Sequence, residues 1–398
     1  RAKSETGTRT TKSGSILPRR SEPKNKNLVI SVGYYRTTCL TNTSSHIVII
    51  SVKECDYKDT GDETGWKRWQ RSAIEKSASQ IWGAERWIET VDQVVRHDGR
   101  KISLAPKAKR TYHRVSVSLG AKGQVPIKWG DLGNGFIHVY DEESVDIVFS
   151  ALDTITDFVE FLSASEAVVR TGKMVFAAEG IEDLVALYLS RGRSFDFSGD
   201  SGDQPDMIVI DGPIWKGFEQ SDDFKAIQKD FEHSYIWDGL IEHYADLLLT
   251  GGLFDMHRKE VTDNELALVV MALQPRGHRA VLAEGLMEFL KPKLKIHARM
   301  AQGYADTAFV FLIGESSDRE YRRNELALRC LVVRGRLPGI TTVVGIAMDR
   351  PGTSEIGYSE DIVYLRVPES EWTEKHATQV AAIQAELGYF QGPISQAG

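Results

Sequence analysis

Cysteine is scarce in this chain: Cys39, Cys55 and Cys330 are scattered through 398 residues, odd in number and without Cys-x-x-Cys spacing. That pattern argues against a disulfide framework and a structural zinc site, and a reducing, cytoplasmic setting is expected. Long hydrophobic runs are missing too. No stretch approaches the roughly 18 uninterrupted apolar residues of a membrane span, and the basic, Ser/Thr-rich start lacks the apolar core of a secretory signal, so no membrane partner is expected. No internal repeat and no His-Glu-x-x-His motif occurs, which removes solenoid architectures and the helical zinc-protease pair. What is present is ordinary globular composition, 41% hydrophobic and 26% charged, in a chain long enough for two or three domains with separate cores.

The net charge of -7 hides an asymmetry. Residues 1–128 carry 25 Lys+Arg against 12 Asp+Glu, whereas the remainder carries 24 against 44. A basic lobe precedes an acidic body, as expected where the first lobe meets a polyanion such as nucleic acid, although attraction between lobes or simple solubility would produce the same polarity.

Periodicity divides the chain into a basic arm (1–26), a first domain (27–128), a mostly helical middle domain (129–300) and a small C-terminal α/β domain (301–398). In the first, Leu28 to Tyr35 and His46 to Lys53 read as strands, the second apolar enough to be central. A helix is expected from about Trp66 to Thr90, facing inward with Trp66, Trp69, Ala73, Ser77, Gln80, Ala84 and Ile88, and a strand at Tyr112 to Ser118. Further on, the pattern predicts a strand at Phe136 to Tyr140, a single long helix from Ser144 to about Val169, strands at Lys173 to Ala177 and Asp206 to Ile210, and a helix between them at Ile181 to Leu189. Helices follow at Asp222 to Gln228, Ser234 to Leu249 and Asp263 to Leu290. The last hundred residues read as strand Thr307 to Gly314, helix Asp318 to Leu326, strands Leu328 to Val333 and Thr341 to Ala347, and helix Glu371 to Leu387.

The sharpest chemical signal is Ser51-Val52-Lys53 at the end of the buried strand. Metal-dependent phosphodiester hydrolysis needs carboxylates to hold Mg²⁺ and a lysine to assist the attacking water and neutralise transition-state charge, and an acid-x-Lys pair on one strand face supplies both. Here the acid position is serine, and the bland alternative is a lysine at a strand end in water. With its flanks, Ile-Ile-Ser-Val-Lys-Glu and then Gly-Trp-Lys-Arg-Trp-Gln-Arg-Ser-Ala-Ile-Glu-Lys-Ser-Ala-Ser-Gln-Ile-Trp-Gly-Ala-Glu-Arg-Trp-Ile, the segment resembles restriction-endonuclease-like proteins of the PD-(D/E)xK superfamily. In particular it is similar to a group of uncharacterised bacterial proteins with such an N-terminal module. The stretches Phe136 to Leu162, Tyr235 to Tyr244, Glu265 to Leu290 and Val343 to Leu365 look like later parts of that group. The resemblance implies an α/β (α+β) fold whose N-terminal mixed sheet is flanked by helices, a Mg²⁺ cofactor, Lys53 as the catalytic lysine, Ser51 in the variant acid position and Gln80 on the helix beside the site.

The superfamily also places an aspartate on the preceding strand, yet no carboxylate occurs between Glu22 and Glu54. Either the module is a degenerate fold, or the ligand comes from elsewhere in the chain, or a compensated frameshift has replaced the native residues over Asn27 to Ser44. Two functions from different classes follow: a Mg²⁺-dependent nuclease, and a non-catalytic scaffold that binds nucleic acid or a protein partner, with homo-oligomerisation open. Lys67, Arg68, Arg71, Lys107, Lys109 and Arg110 are candidate phosphate contacts, though helix-surface charges are commonly just solvated.

Weaker patterns carry bland readings. Gly199 to Asp203 is similar to the nucleophile loop of chymotrypsin-like proteases but reads as a polar loop. Asp56, Asp59, Asp62 and Glu63 lack calcium-loop spacing. His233 and His243 are too far apart for a metal pair on adjacent turns, Gly130 to Gly135 reads as a turn, and Trp66, Trp69, Trp82 and Trp87 suit core packing better than base stacking.

Overall fold

The computed structural model describes residues 28–31, 45–95, 99, 101–123, 127–170, 174–177, 180–197, 207–250, 262–291, 297–314, 319–349 and 360–392. The basic arm and the Gly199 to Asp203 loop lie outside them. The described chain forms two compact units, one built from Leu28–Ser31 and His46–Glu142, the other from Glu143 onward.

In the first unit, β1 (Leu28–Ser31) pairs antiparallel with β2 (Ser45–Glu54), Leu28 opposite Ser51. The chain then passes through α1 (Glu63–Gln70), a wide π-helical turn (Arg71–Glu75) and α2 (Lys76–Ile88). After a small hairpin of β3 (Gln93–Val95) and β4 (Lys101–Ser103) it enters β5 (Arg110–Leu119), which lies beside β2. β6 (Gly130–Asp131) and β7 (Phe136–Tyr140) complete a five-stranded sheet in the order β1-β2-β5-β7-β6, with β5 and β7 parallel. The domain therefore ends after 140 rather than at 128, because β7, buried along its whole length, is a strand of this sheet.

Alternation explains how the helix docks. Ile47, Ile49 and Ser51 share one face of β2, and Trp69, Ala73, Ile74, Ala78, Ile81, Ala84 and Ile88 of the helical segment cluster with Ile47, Ile49, Ile137 and Val139. The expected inward positions from Trp69 to Ile88 recur, with Ile74, Ala78 and Ile81 added.

The second unit opens with two helices where one was expected. α3 (Glu142–Ala151) and α4 (Ile155–Arg170) are separated because the Thr154 hydroxyl accepts from the Asp157 N–H at 3.1 Å, an N-cap that restarts the helix. β8 (Met174–Ala177) and β9 (Met207–Ile210) form a two-stranded parallel sheet beside α5 (Ile181–Ser190), α6 (Ile214–Glu219) and α7 (Asp222–Phe231). α8 (Tyr235–Leu249), α9 (Asp263–Ala272) and α10 (Arg276–Leu290) follow, the last two divided at Pro275, which cannot continue a helix.

A four-stranded sheet then runs β10 (His297–Gln302), β11 (Thr307–Gly314), β12 (Thr342–Asp349), β13 (Glu360–Arg366), in that order, β11 and β12 parallel and both edges antiparallel. α11 (Arg319–Arg336) makes the parallel crossover, and α12 (Glu374–Leu387) closes the unit. Leu328 to Val333, expected as a strand, is helical: Leu326, Cys330 and Val333 recur at helical spacing and pack with Leu337 against Val310, Leu312, Val343 and Ala347. The opposite sheet face, Phe309, Phe311, Ile313, Val344 and Ile346, is covered by Trp237, Tyr244, Met271, Leu282, Leu286 and Phe289. One core thus joins the middle helices to the C-terminal sheet, and the expected division at 300 is not observed.

Buried charge pins this unit. Arg322, 2% exposed, lies between Asp349 and Asp361, with its Nη2 2.7 Å from Asp361 Oδ2. Arg276 pairs with Asp153 at 2.7 Å and with Asp238 at 2.6 Å, and Asp238 also holds Arg279. Replacing Arg322 by Met leaves two buried carboxylates facing each other and should cost about 3–5 kcal/mol in urea unfolding. Adding Asp361→Asn to that variant should return part of the loss.

Candidate anion site of the N-terminal unit

The site begins where apolar β2 becomes polar. Ser51 is fully buried on the helix-facing side of the strand, and a hydroxyl so placed needs partners. It has two. Its Oγ lies 3.1 Å from Gln80 Oε1 as donor and 3.0 Å from Ser77 Oγ. With the Ser51 proton committed to Gln80, Ser77 donates to Ser51. The Gln80 NH₂ then has no hydrogen-bond partner among the described residues.

Two residues on, Lys53 is half-buried, while Glu54 is exposed on the other face. Burial first, and then the neighbouring Lys76 ammonium, hold the Lys53 ammonium below its ordinary pKa, with Cys55 opposing. The exposed Lys76 is thus near enough to repel Lys53, and no carboxylate among the described residues offsets it.

The surrounding backbone is fixed. The Cys55 N–H donates to Leu119 C=O at 3.0 Å, and the Trp69 indole N–H donates to Cys55 C=O at 2.6 Å. Gly120 sits at φ +93°, where a Cβ would lie 2.3 Å from the Cys55 carbonyl oxygen, so only glycine lets the chain leave β5 this close to β2. The π-helical turn immediately precedes Lys76 and Ser77. Its wider winding shifts which side chains of the following turn meet the strand.

Ser51 and Gln80 are thus in hydrogen-bond contact, with Ser77 joining them; Lys53 follows two residues along the strand, and the exposed Lys76 acts on it through charge. Ser77 was visible in the sequence as part of the small polar helix face; Lys76 carried no signal, because its nearness to Lys53 follows from the docking of helix on strand.

The outlying basic candidates divide. Arg68, Arg71, Lys107 and Lys109 are exposed. Lys67 is exposed but paired with Glu63 at 2.5 Å. Arg110 departs from its expected role: its side chain is 1% exposed, and its guanidinium donates to the carbonyls of Ala105, Ile88 and Val91 at 2.7, 2.8 and 3.1 Å. It stitches the end of α2 to β5 and is not free for phosphate. Trp66 stacks on Trp69 with centroids 4.8 Å apart, and Trp82 and Trp87 pack against the same core.

Other patterns keep their bland roles. Asp62 caps α1 by accepting from the Thr64 N–H at 2.9 Å, and Asp59 accepts from the Gly61 N–H at 2.8 Å. Asp131 accepts from the Gly133 N–H at 2.7 Å within the glycine-rich turn. His233 is exposed, and His243 contacts Glu360 at 2.8 Å.

Mg²⁺ coordinates hard oxygens and is ordinarily anchored by at least one carboxylate. The groups gathered here are two hydroxyls, a carboxamide and two ammonium ions, so they do not fit that cation. Among the described residues no group of three or more His, Cys, Asp or Glu side chains could hold a metal ion. Ammonium and amide N–H donors suit an oxyanion instead.

No described helix is long and apolar enough to cross a membrane. Comparison with protein-family models, curated proteins and solved structures finds no match to this chain.

Ser51→Ala removes the hydroxyl that satisfies Ser77 and Gln80 and should lower stability by about 1–3 kcal/mol in chemical denaturation. Exposed Arg71→Ala should change it by less than about 0.5 kcal/mol.

Proposed function

We propose that the N-terminal unit is a nucleic-acid-binding module of restriction-endonuclease-like descent that grips a backbone phosphate at the end of β2 and does not cleave it through a metal ion. The observation that carries this reading is the buried Ser51–Ser77–Gln80 cluster with half-buried Lys53 two residues along the strand, repelled by the exposed Lys76 and offset by no carboxylate among the described residues. The chain order supports the descent: a strand pairs with the Ser-x-Lys strand, a helix packs beside the site and the next long strand lies alongside. The positive balance of residues 1–128 supports the ligand, because lysines that neutralise phosphates release condensed counterions.

In this mechanism Lys53 and Lys76 provide charge, and the Gln80 NH₂ provides a directional donor. The Ser51–Ser77 pair holds Gln80 in place. A phosphate favours the charged form of Lys53, opposing the burial and repulsion that lower its pKa. Binding therefore takes up protons, and affinity falls as pH rises through the lowered Lys53 value.

A second reading, Mg²⁺-dependent hydrolysis with Lys53 assisting the attacking water, keeps Lys53, Ser51 and Gln80 as its site. It is favoured by their convergence and needs a carboxylate that these residues do not supply.

Labelled single- and double-stranded DNA and RNA, incubated with purified protein in Mg²⁺ or chelator, separate the readings. Binding should be equal in both, weaken with salt and produce no cleavage. Lys53→Ala and Lys76→Ala should each weaken binding and reduce the slope of log affinity against log salt by about one. Metal-dependent cleavage lost in Lys53→Ala would establish the second reading, and absence of binding at low salt would sink both.

A further inference from the structure

We draw no further inference here: the strongest candidate, the apolar face that Met207 and Val209 of β9 leave exposed on the two-stranded parallel sheet of the second unit, carries nothing because nothing in the structure shows what covers it.

Discussion

A hydroxyl buried in an apolar strand governs the N-terminal unit. Ser51 continues the inward row of Ile47 and Ile49, and its desolvation is tolerable only because Ser77 and Gln80 meet it. This requirement fixes both the rotation and the axial position of the helix over β2. The π-helical turn just before Lys76 adjusts the helix so that Trp69 before it, Ala73 within it, and Ser77 and Ile81 after it all pack toward the sheet. Lys53 then falls one step beyond the covered part of the strand, half-buried and beside a second lysine. Packing and site are consequences of the same hydrogen bonds.

The second unit solves a different problem with the same physics. Its sheet is apolar on both faces and needs two layers of helix. α11 covers one face, and α8, α9 and α10 cover the other. Gly345 lets α11 approach closely: a Cβ there would lie 2.7 Å from Cys330 Sγ. Non-directional burial does not by itself position these layers, and the interior arginines add directional constraints. Arg276 ties α10 to α3–α4 and α8, while Arg322 ties α11 to the ends of β12 and β13. Such pairs add modest net stability, but breaking one leaves an uncompensated interior charge.

Charge is therefore used in two ways. Interior arginines, Arg110 among them, hold the framework. Lys53, repelled by Lys76, has no counter-ion among the described residues, which favours an oxyanion.

The sequence by itself determined the strands that are apolar or strictly alternating, such as His46 to Lys53, Phe136 to Tyr140 and Thr307 to Gly314, because burial imposes a period that side chains reveal. It also determined that Ser51 and Lys53 share a face. Tertiary structure decided the rest. Leu328 to Val333 was ambiguous because a short apolar run suits strand and helix alike until the face it meets is known. β10 and β13 went unread because edge strands carry mixed residues and exist through pairing. Lys76 and Arg110 show the same limit for the site. Local sequence presents both simply as basic residues, and only the docking of the helix on the sheet brings the charge of one to bear on Lys53 and uses up the other on backbone carbonyls, because a side chain's chemical role depends on neighbours that are distant in the chain.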